Sequence, residues 1–280
     1  MIYSNFHTHS NFSDGSVDMK LYCQKALELS FHSLGFSDHA PVQFNNSFSI
    51  PFEKIHQYFE TIQSLKTEYQ GKLNIFTSIE ADFIPNHSYD FDYFRQLAPM
   101  DYLIGSIHLV FNEKKNRMWF IDGSDPQVWD KGLAEIFDGD IKKGVITFYE
   151  QTMNMIETRK PDVIGHFDKI KMHNKDRLFL TTDKWYRDLI DKTLSLIHEH
   201  HMVLEINTRG IYKGRCKELF PSAHSALQAQ KMGIPIMLNS DAHQPAELNG
   251  GYELALSELK KHGIAELVEF TSRGWKTRAI

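Results

Sequence analysis

Near the start of the chain, residues 5–16 read "NFHTHSNFSDGS", with His7 and His9 one residue apart and Asp14 five residues further on. On an extended chain, side chains at i and i+2 share a face, so two imidazoles placed this way can grip one metal ion. The pattern recurs, because short apolar runs along the chain end in metal-ligand types. Asp38-His39 ends "SLGFSDHA" (33–40), Glu80 and Asp82 end "NIFTSIEAD" (74–82), and His108 ends "YLIGSIH" (102–108). His166 and Asp168 end "DVIGHFD" (162–168), Asn207 and Arg209 lie in "MVLEINTRG" (202–210), and Asp241 and His243 end "IPIMLNSDAH" (234–243). Imidazole mixed with carboxylate suits zinc, manganese or iron, and a site without cysteine is unlike a structural zinc site. One ion takes three or four of these ligands, so the set implies two or three divalent ions sharing at least one bridging carboxylate. Clustered ions of this kind lower the pKa of bound water and hold a phosphoryl or carbonyl oxygen. The sequence has neither a Gly-x-Ser-x-Gly elbow nor a phosphate-binding Gly-x-x-x-x-Gly-Lys loop.

The elements that must position these residues alternate. The seven apolar runs, the first being "IYSNFHTH" (2–9), read as strands buried on both faces. Between them, helical spacing of apolar residues predicts helices over 17–30, 52–69, 142–159, 183–200, 222–232 and 246–262. Strands alternating with helices imply parallel βαβ units, and seven strands suggest a barrel of seven or eight. In such barrels the active site lies at the C-terminal rim, where residues from many strands converge. Every predicted strand here delivers a polar side chain to that rim.

The bulk composition fits. A chain of 280 residues, 41% hydrophobic and 24% charged, is expected to form one domain over 1–280. A net charge of −5 with no dense basic patch predicts no nucleic-acid partner. No signal peptide and no long apolar span are apparent, so a cytoplasmic protein with no membrane partner is expected. The two cysteines, Cys23 and Cys216, make neither a metal pair nor a disulfide framework. Nothing in the sequence fixes the number of subunits.

Taken in order, "FHTHSNFSDG", "GFSDHA", "IEAD", "GSIH", "GHFD" and "NSDAH" resemble the successive motifs of the polymerase and histidinol phosphatase (PHP) superfamily, from residue 7 to 243. The resemblance implies an α/β fold, a distorted seven-stranded (β/α)7 TIM-like barrel, with three divalent ions. The length resembles the stand-alone histidinol-phosphatase branch, whose reaction is hydrolysis of L-histidinol phosphate to L-histidinol and phosphate. Carried over by motif, His7, His9, Glu80 and Asp241 hold a first ion. Glu80, His108 and His166 hold a second, with Glu80 as the bridge, and Asp14, His39 and His243 hold a third. Many members of the superfamily place histidine near the position of Asp14. A hydroxide bridging two ions is expected to attack phosphorus, with Asp241 or His243 managing protons. For the small phosphorylated substrate, Arg209 is the first choice to hold phosphate, as arginine is the preferred bidentate partner. Family members often carry an arginine shortly after the "GHFD"-like motif; here "GHFDKIKMHN" offers Lys169 and Lys171, of which Lys171 is preferred, and Arg117, in "NEKKNRMW", is a further choice.

Other features receive plainer expectations. "HEHH" (198–201) falls at a helix end opposite the rim, where the dipole favours histidine. Asp38, Asp82 and Asp168 are candidates to orient metal-bound histidines. Glu205 and Asn207 read as buried hydrogen-bonding residues, and Trp119, Trp129 and Trp185 as core or loop anchors. His87 and His173 lie in loops beyond rim strands. The long stretch 111–140 is a candidate lid that sets selectivity. Three alternatives stand beside the phosphatase: a PHP phosphoesterase for another small ester or nucleotide, a metallo-amidohydrolase, and a non-catalytic metal-binding barrel. Glu80 on the third strand argues against the amidohydrolase.

Overall fold

The alternation of apolar runs and amphipathic stretches becomes an α/β fold in the computed structural model, which describes residues 2–280. The first half comprises β1 (Ser4–Asn5), α1 (Met19–Glu28), β2 (Ser33–Phe36), α2 (Ile55–Glu68), β3 (Asn74–Thr77), β4 (Glu80–Asp82), α3 (Phe91–Leu97) and β5 (Ile104–Ser106). Then come β6 (Leu109–Asn112), β7 (Arg117–Phe120), α4 (Pro126–Phe137), α5 (Ile141–Arg159), β8 (Val163–Ile164) and α6 (Lys184–Glu199). The chain ends with β9 (Val203–Asn207), α7 (Arg209–Tyr212), α8 (Ala223–Lys231), β10 (Ile236–Asn239), α9 (Tyr252–Lys261), β11 (Glu266–Thr271) and β12 (Gly274–Ala279).

The parallel strands form two groups, β1-β2-β3 and β10-β9-β8-β5-β4. Registers include Ser33 against Asn74, Glu80 against Ile104, and Asn239 against Asn207. Isolated parallel bridges join Thr8 to Ala242 and His39 to Glu80. The run 74–82, expected as one strand, is broken between Thr77 and Glu80. The residues of β2, β9 and β10 are all buried, which explains why their sequences run apolar without alternation.

Helix starts are chemically marked. Asp18, Asp90, Asp125 and Asp140 each accept a backbone N–H of the first turn, satisfying donors that the helix leaves open. The inward faces are apolar: α5 buries Val145, Phe148 and Ile156, and α6 buries Leu189, Leu194 and Ile197.

Stretch 111–140 is not a loose lid. It runs from the end of β6 through its antiparallel partner β7 into α4, and two indoles lock it to the core. Trp119 and Trp129 are fully buried with ring centroids 4.8 Å apart, and Trp119 Nε1 donates to the Trp129 carbonyl at 2.9 Å. Cβ atoms added at Gly132 or Gly144 would come within 2.3 Å and 2.8 Å of the Trp119 ring, so both glycines make room for it.

The C-terminal hairpin β11–β12, not anticipated from the sequence, covers a second apolar cluster. Phe6, Phe76, Tyr102, Ile104, Val163, Val203 and Met237 pack there against Val268, Phe270 and Trp275. The polar strand ends lie elsewhere and are free to converge.

Candidate metal centre

The HxH pair lies just past β1, with Thr8 between the two rings bridging to Ala242. This brings the His7 and His9 rings to 5.0 Å of each other, both fully buried. Glu80 opens β4 and sits among five histidines. Its Oε2 lies 3.2 Å from His7 Nε2, 3.4 Å from His9 Nε2 and 3.1 Å from His39 Nδ1. Its Oε1 lies 3.0 Å from His166 Nε2 and 3.6 Å from His108 Nε2, and accepts from Ser106 Oγ at 2.6 Å. The two carboxylate oxygens thus face different sets of rings, as a bridging ligand requires.

Asp241 follows β10 in a left-handed conformation, φ 54°. Its Oδ1 is 3.3 Å from His9 Nε2, 3.4 Å from His243 Nδ1 and 3.8 Å from His7 Nε2. Asp14, in the loop before α1, places Oδ1 3.3 Å from His243 Nε2 and 3.9 Å from both His9 and His39. All nine residues expected as ligands therefore lie in one cluster. Three groups have ligand atoms within 4.8 Å of one another: His9, Asp14, His39 and His243; His7, His9 and Asp241; and His39, Glu80 and His108.

The residues fit divalent ions. His7 Nε2, both ring nitrogens of His9, His39 Nδ1 and Asp241 Oδ1 are buried without a hydrogen-bond partner. Orphaned buried polar atoms are costly, and these five converge on the same space. The electrostatics of the three carboxylates and of His9 agree. Burial opposes ionisation of Glu80, but His7, His108 and His39 outweigh it and hold the carboxyl well below its ordinary value. Burial is likewise outweighed at Asp241 by His7, Arg209 and His9, and at Asp14 by the same side's histidines, His243 foremost. His9 is pushed down by burial first, then by His243 and His39, leaving it neutral, the form that ligates. At His108, burial is overcome by Asp82 and Glu80, which push it up to about 9.

Supporting side chains set the orientation of these rings. Glu205 Oε1 is 2.6 Å from His7 Nδ1, while Asn239 Nδ2 and the His166 backbone N–H donate to the same carboxylate at 2.9 Å. Asp82 lies 2.9 Å from His108 Nδ1 and accepts the His108 backbone N–H at 2.9 Å. Asp38 and Asp168 do not touch the rings. Asp38 accepts the backbone N–H and hydroxyl of Ser10 and of Ser13, fixing the loop that carries Asp14. Asp168 accepts from Lys171 instead.

Two substrate-binding choices stand apart. Lys171 Nζ is committed to Asp168 at 2.7 Å and Glu218 at 2.9 Å, beside a separate cavity of about 790 Å³. Arg117 is exposed on β7 and pairs with Glu135 at 2.9 Å. Lys169 takes the inward position instead. Residues 169–171 form a single 3-10 turn, where each residue advances about 120°, so lysines two apart diverge. Arg209 does adjoin the cluster, donating from Nη1 to the Asp241 carbonyl at 2.6 Å. Asp122, which the sequence reading passed over, lies 3.7 Å from His108 Nε2 and 2.7 Å from Lys169 Nζ. His173 is buried with Nε2 2.7 Å from the Gly123 carbonyl, and the HEHH stretch lies at the end of α6 as expected.

A cluster of carboxylates and imidazoles delivered by the ends of parallel strands defines a metal-centred α/β protein. Residues 5–209 match the PHP domain family model, and the chain belongs to that family. Among similar proteins, the Bacillus subtilis histidinol-phosphatase is 26% identical over 264 residues, covering 89% of this chain and 97% of that one. A Listeria monocytogenes crystal structure, 21% identical, matches with a TM-score of 0.79 over 90% of this chain and 99% of the other. The histidinol phosphate phosphatase of Lactococcus lactis, solved with zinc, L-histidinol and phosphate, is 20% identical with a TM-score of 0.70, covering 98% of each chain.

Proposed function

We propose that this protein is a metal-dependent phosphomonoesterase that hydrolyses L-histidinol phosphate to L-histidinol and phosphate. The observation that carries the reading is Glu80, buried between two sets of histidines with one oxygen toward each. The full-length similarity to a histidinol-phosphatase from Bacillus subtilis supports the choice of substrate.

In this reading three divalent ions of zinc, manganese or iron bind in the groups anticipated from the motifs. The ligands are His7, His9, Asp14, His39, Glu80, His108, His166, Asp241 and His243. Bound there, such ions supply an activated water and an electrophilic hold on phosphoryl oxygens. The chain's own groups do the rest. Glu205 and Asp82 hold the His7 and His108 rings in one tautomer by accepting from their Nδ1 atoms. Arg209 fixes Asp241 through its carbonyl. Burial of His7, His9 and His166 excludes bulk water from the reacting side. Asp241 and His243 both serve as ligands in this reading, and a side chain that holds an ion is a poor free base; His243 is the more exposed of the two.

With β3 and β4 counted as the two halves of one broken strand, we infer that the parallel strands close as one distorted seven-stranded barrel in a single domain, a reading supported by the bridges Thr8–Ala242 and His39–Glu80 between the strand groups. The test of function is steady-state hydrolysis of L-histidinol phosphate by metal-reconstituted protein, beside small phosphomonoesters and short nucleotides. A kcat/KM of about 10⁴ M⁻¹s⁻¹ or more, far above the other esters, is the expected result. Faster turnover of another ester would keep the metal chemistry and discard this substrate.

A further inference from the structure

Lys169 and Asp122 form a buried ion pair on the wall of the centre, outside the nine residues that suffice to ligate ions. Lys169 Nζ lies 2.7 Å from Asp122 Oδ1 and 3.9 Å from Asp241 Oδ2, and its side chain is 2% exposed. The Asp122 side chain is 20% exposed, and its Oδ2 lies 3.7 Å from His108 Nε2. The ammonium therefore stands deep, beside the ligand cluster, and the carboxylate stands one step toward solvent. A buried pair of this kind is a poor source of stability, because desolvation of the two charges offsets their attraction. Its value lies in what it offers when opened: a cation beside the ligand cluster and an anion just outside it.

We propose that this pair recognises a zwitterionic phosphate monoester, one in which the carbon next to the ester carbon bears an ammonium group. The inference rests on the phosphomonoesterase reading. The phosphate of the ester takes Lys169, and its ammonium takes Asp122, so two charge pairs replace one and no buried charge loses its partner. A phosphate ester with a neutral chain takes Lys169 and strands Asp122. A site built around a polar contact rejects an analogue lacking it far more strongly than a missing methylene would be rejected. Asp122 sits between β7 and α4, two elements locked to the core by Trp119 and Trp129, so the carboxylate is held in place rather than carried on a free loop.

The test compares L-histidinol phosphate with its deamino analogue, 3-(imidazol-4-yl)propyl phosphate, on metal-loaded wild type and on Asp122→Asn. Metal content is measured for both proteins. A hydrogen bond to a charged group is stronger than a neutral one, so the wild type is expected to favour the amine by about 10- to 100-fold in kcat/KM. Asp122→Asn is expected to remove most of that preference, chiefly through KM, with metal content unchanged. Equal turnover of the two esters by the wild type would overturn the inference without any variant, and leave the phosphatase reading standing. A variant that loses both activities in proportion, or loses metal with them, would make Asp122 a structural or ligating residue and also overturn it. Turnover of neither ester by the wild type would sink the phosphatase reading and this inference with it.

Discussion

Glu205 Oε1 stands 2.6 Å from His7 Nδ1, with both side chains fully buried. The contact fixes which ring nitrogen of His7 faces the centre, since Nδ1 is used by Glu205 and Nε2 turns toward Glu80. Glu205 itself is held by Asn239, Asn207 and the His166 backbone. Replacing Glu205 with Gln keeps the shape but removes the charge that holds the imidazole. Partners of metal ligands typically contribute 10- to 100-fold in affinity or activity. Glu205→Gln is therefore expected to weaken metal binding by about that factor, read by titration against a competing chelator. Wild-type affinity in the variant would remove Glu205 from the design of the centre.

Asp38 acts on a different part of the centre. It gathers the Ser10 and Ser13 backbone N–H groups and both hydroxyls into one carboxylate, at distances of 2.7–3.2 Å. The loop so pinned carries Asp14. Burial pushes the Asp38 carboxyl up to about 6 despite the donors around it, so this clamp is held against a desolvation cost. Asp38→Ala leaves donors buried without partners, each costing about 1–3 kcal/mol. The expected result is a fall of about 3 kcal/mol in unfolding free energy together with loss of one bound ion of the set. Chemical denaturation and metal analysis read the two effects separately, and an unchanged ion count would mean Asp14 keeps its place without the clamp.

Glu80 and Asp14 should differ in kind. Glu80 lies within 3.6 Å of five histidines, whereas Asp14 approaches only His9, His39 and His243 and is partly exposed. Glu80→Gln is expected to lower kcat by more than the roughly 100-fold upper range for supporting residues and to reduce metal content at more than one site. Asp14→Ala should lose one ion and a smaller part of the activity. Equal effects from the two variants would contradict a bridging role for Glu80.

The sequence reveals this site wherever the chemistry of a residue coincides with a local structural pattern. The strand-end residues were legible because each follows a buried apolar run, and the motif resemblance then grouped them into ligand sets. Asp82 was legible as a carboxylate beside a ligand and does orient His108, whereas Glu205 was legible only as a buried polar residue, since its partner His7 comes from 198 residues away. Lys169 and Lys171 could not be separated by pattern, because a 3-10 turn directs two similar side chains to opposite surroundings. Asp122 was hidden in a stretch that reads as an insertion. Its only local signal is "FIDG", another apolar run ending in a carboxylate. The hairpin β11–β12 lacked strict alternation, with only Leu267 and Glu269 of its residues deeply buried, and Glu269 holds its place through Ser4 and Arg278 rather than apolar packing.

Removal of metal should register in stability as well as in turnover. Glu80, Asp241, Asp14 and Asp122 are all held ionised by neighbouring cationic groups. Four carboxylates this close repel one another, and the histidines offset that repulsion only when protonated. Divalent ions supply the charge without requiring protons on ligating nitrogens. A ligand that binds only the folded state at 100 times its Kd contributes about 2.7 kcal/mol. In a chain somewhat larger than 150–250 residues, 1 kcal/mol corresponds to no more than roughly 2–4 °C in Tm. Chelation is therefore expected to lower Tm by up to about 5–10 °C per tightly bound ion and to abolish hydrolysis, with both restored by zinc or manganese. A Tm indifferent to chelator, at full activity, would mean that the imidazoles and carboxylates are held by one another and that the chemistry uses no ion at all.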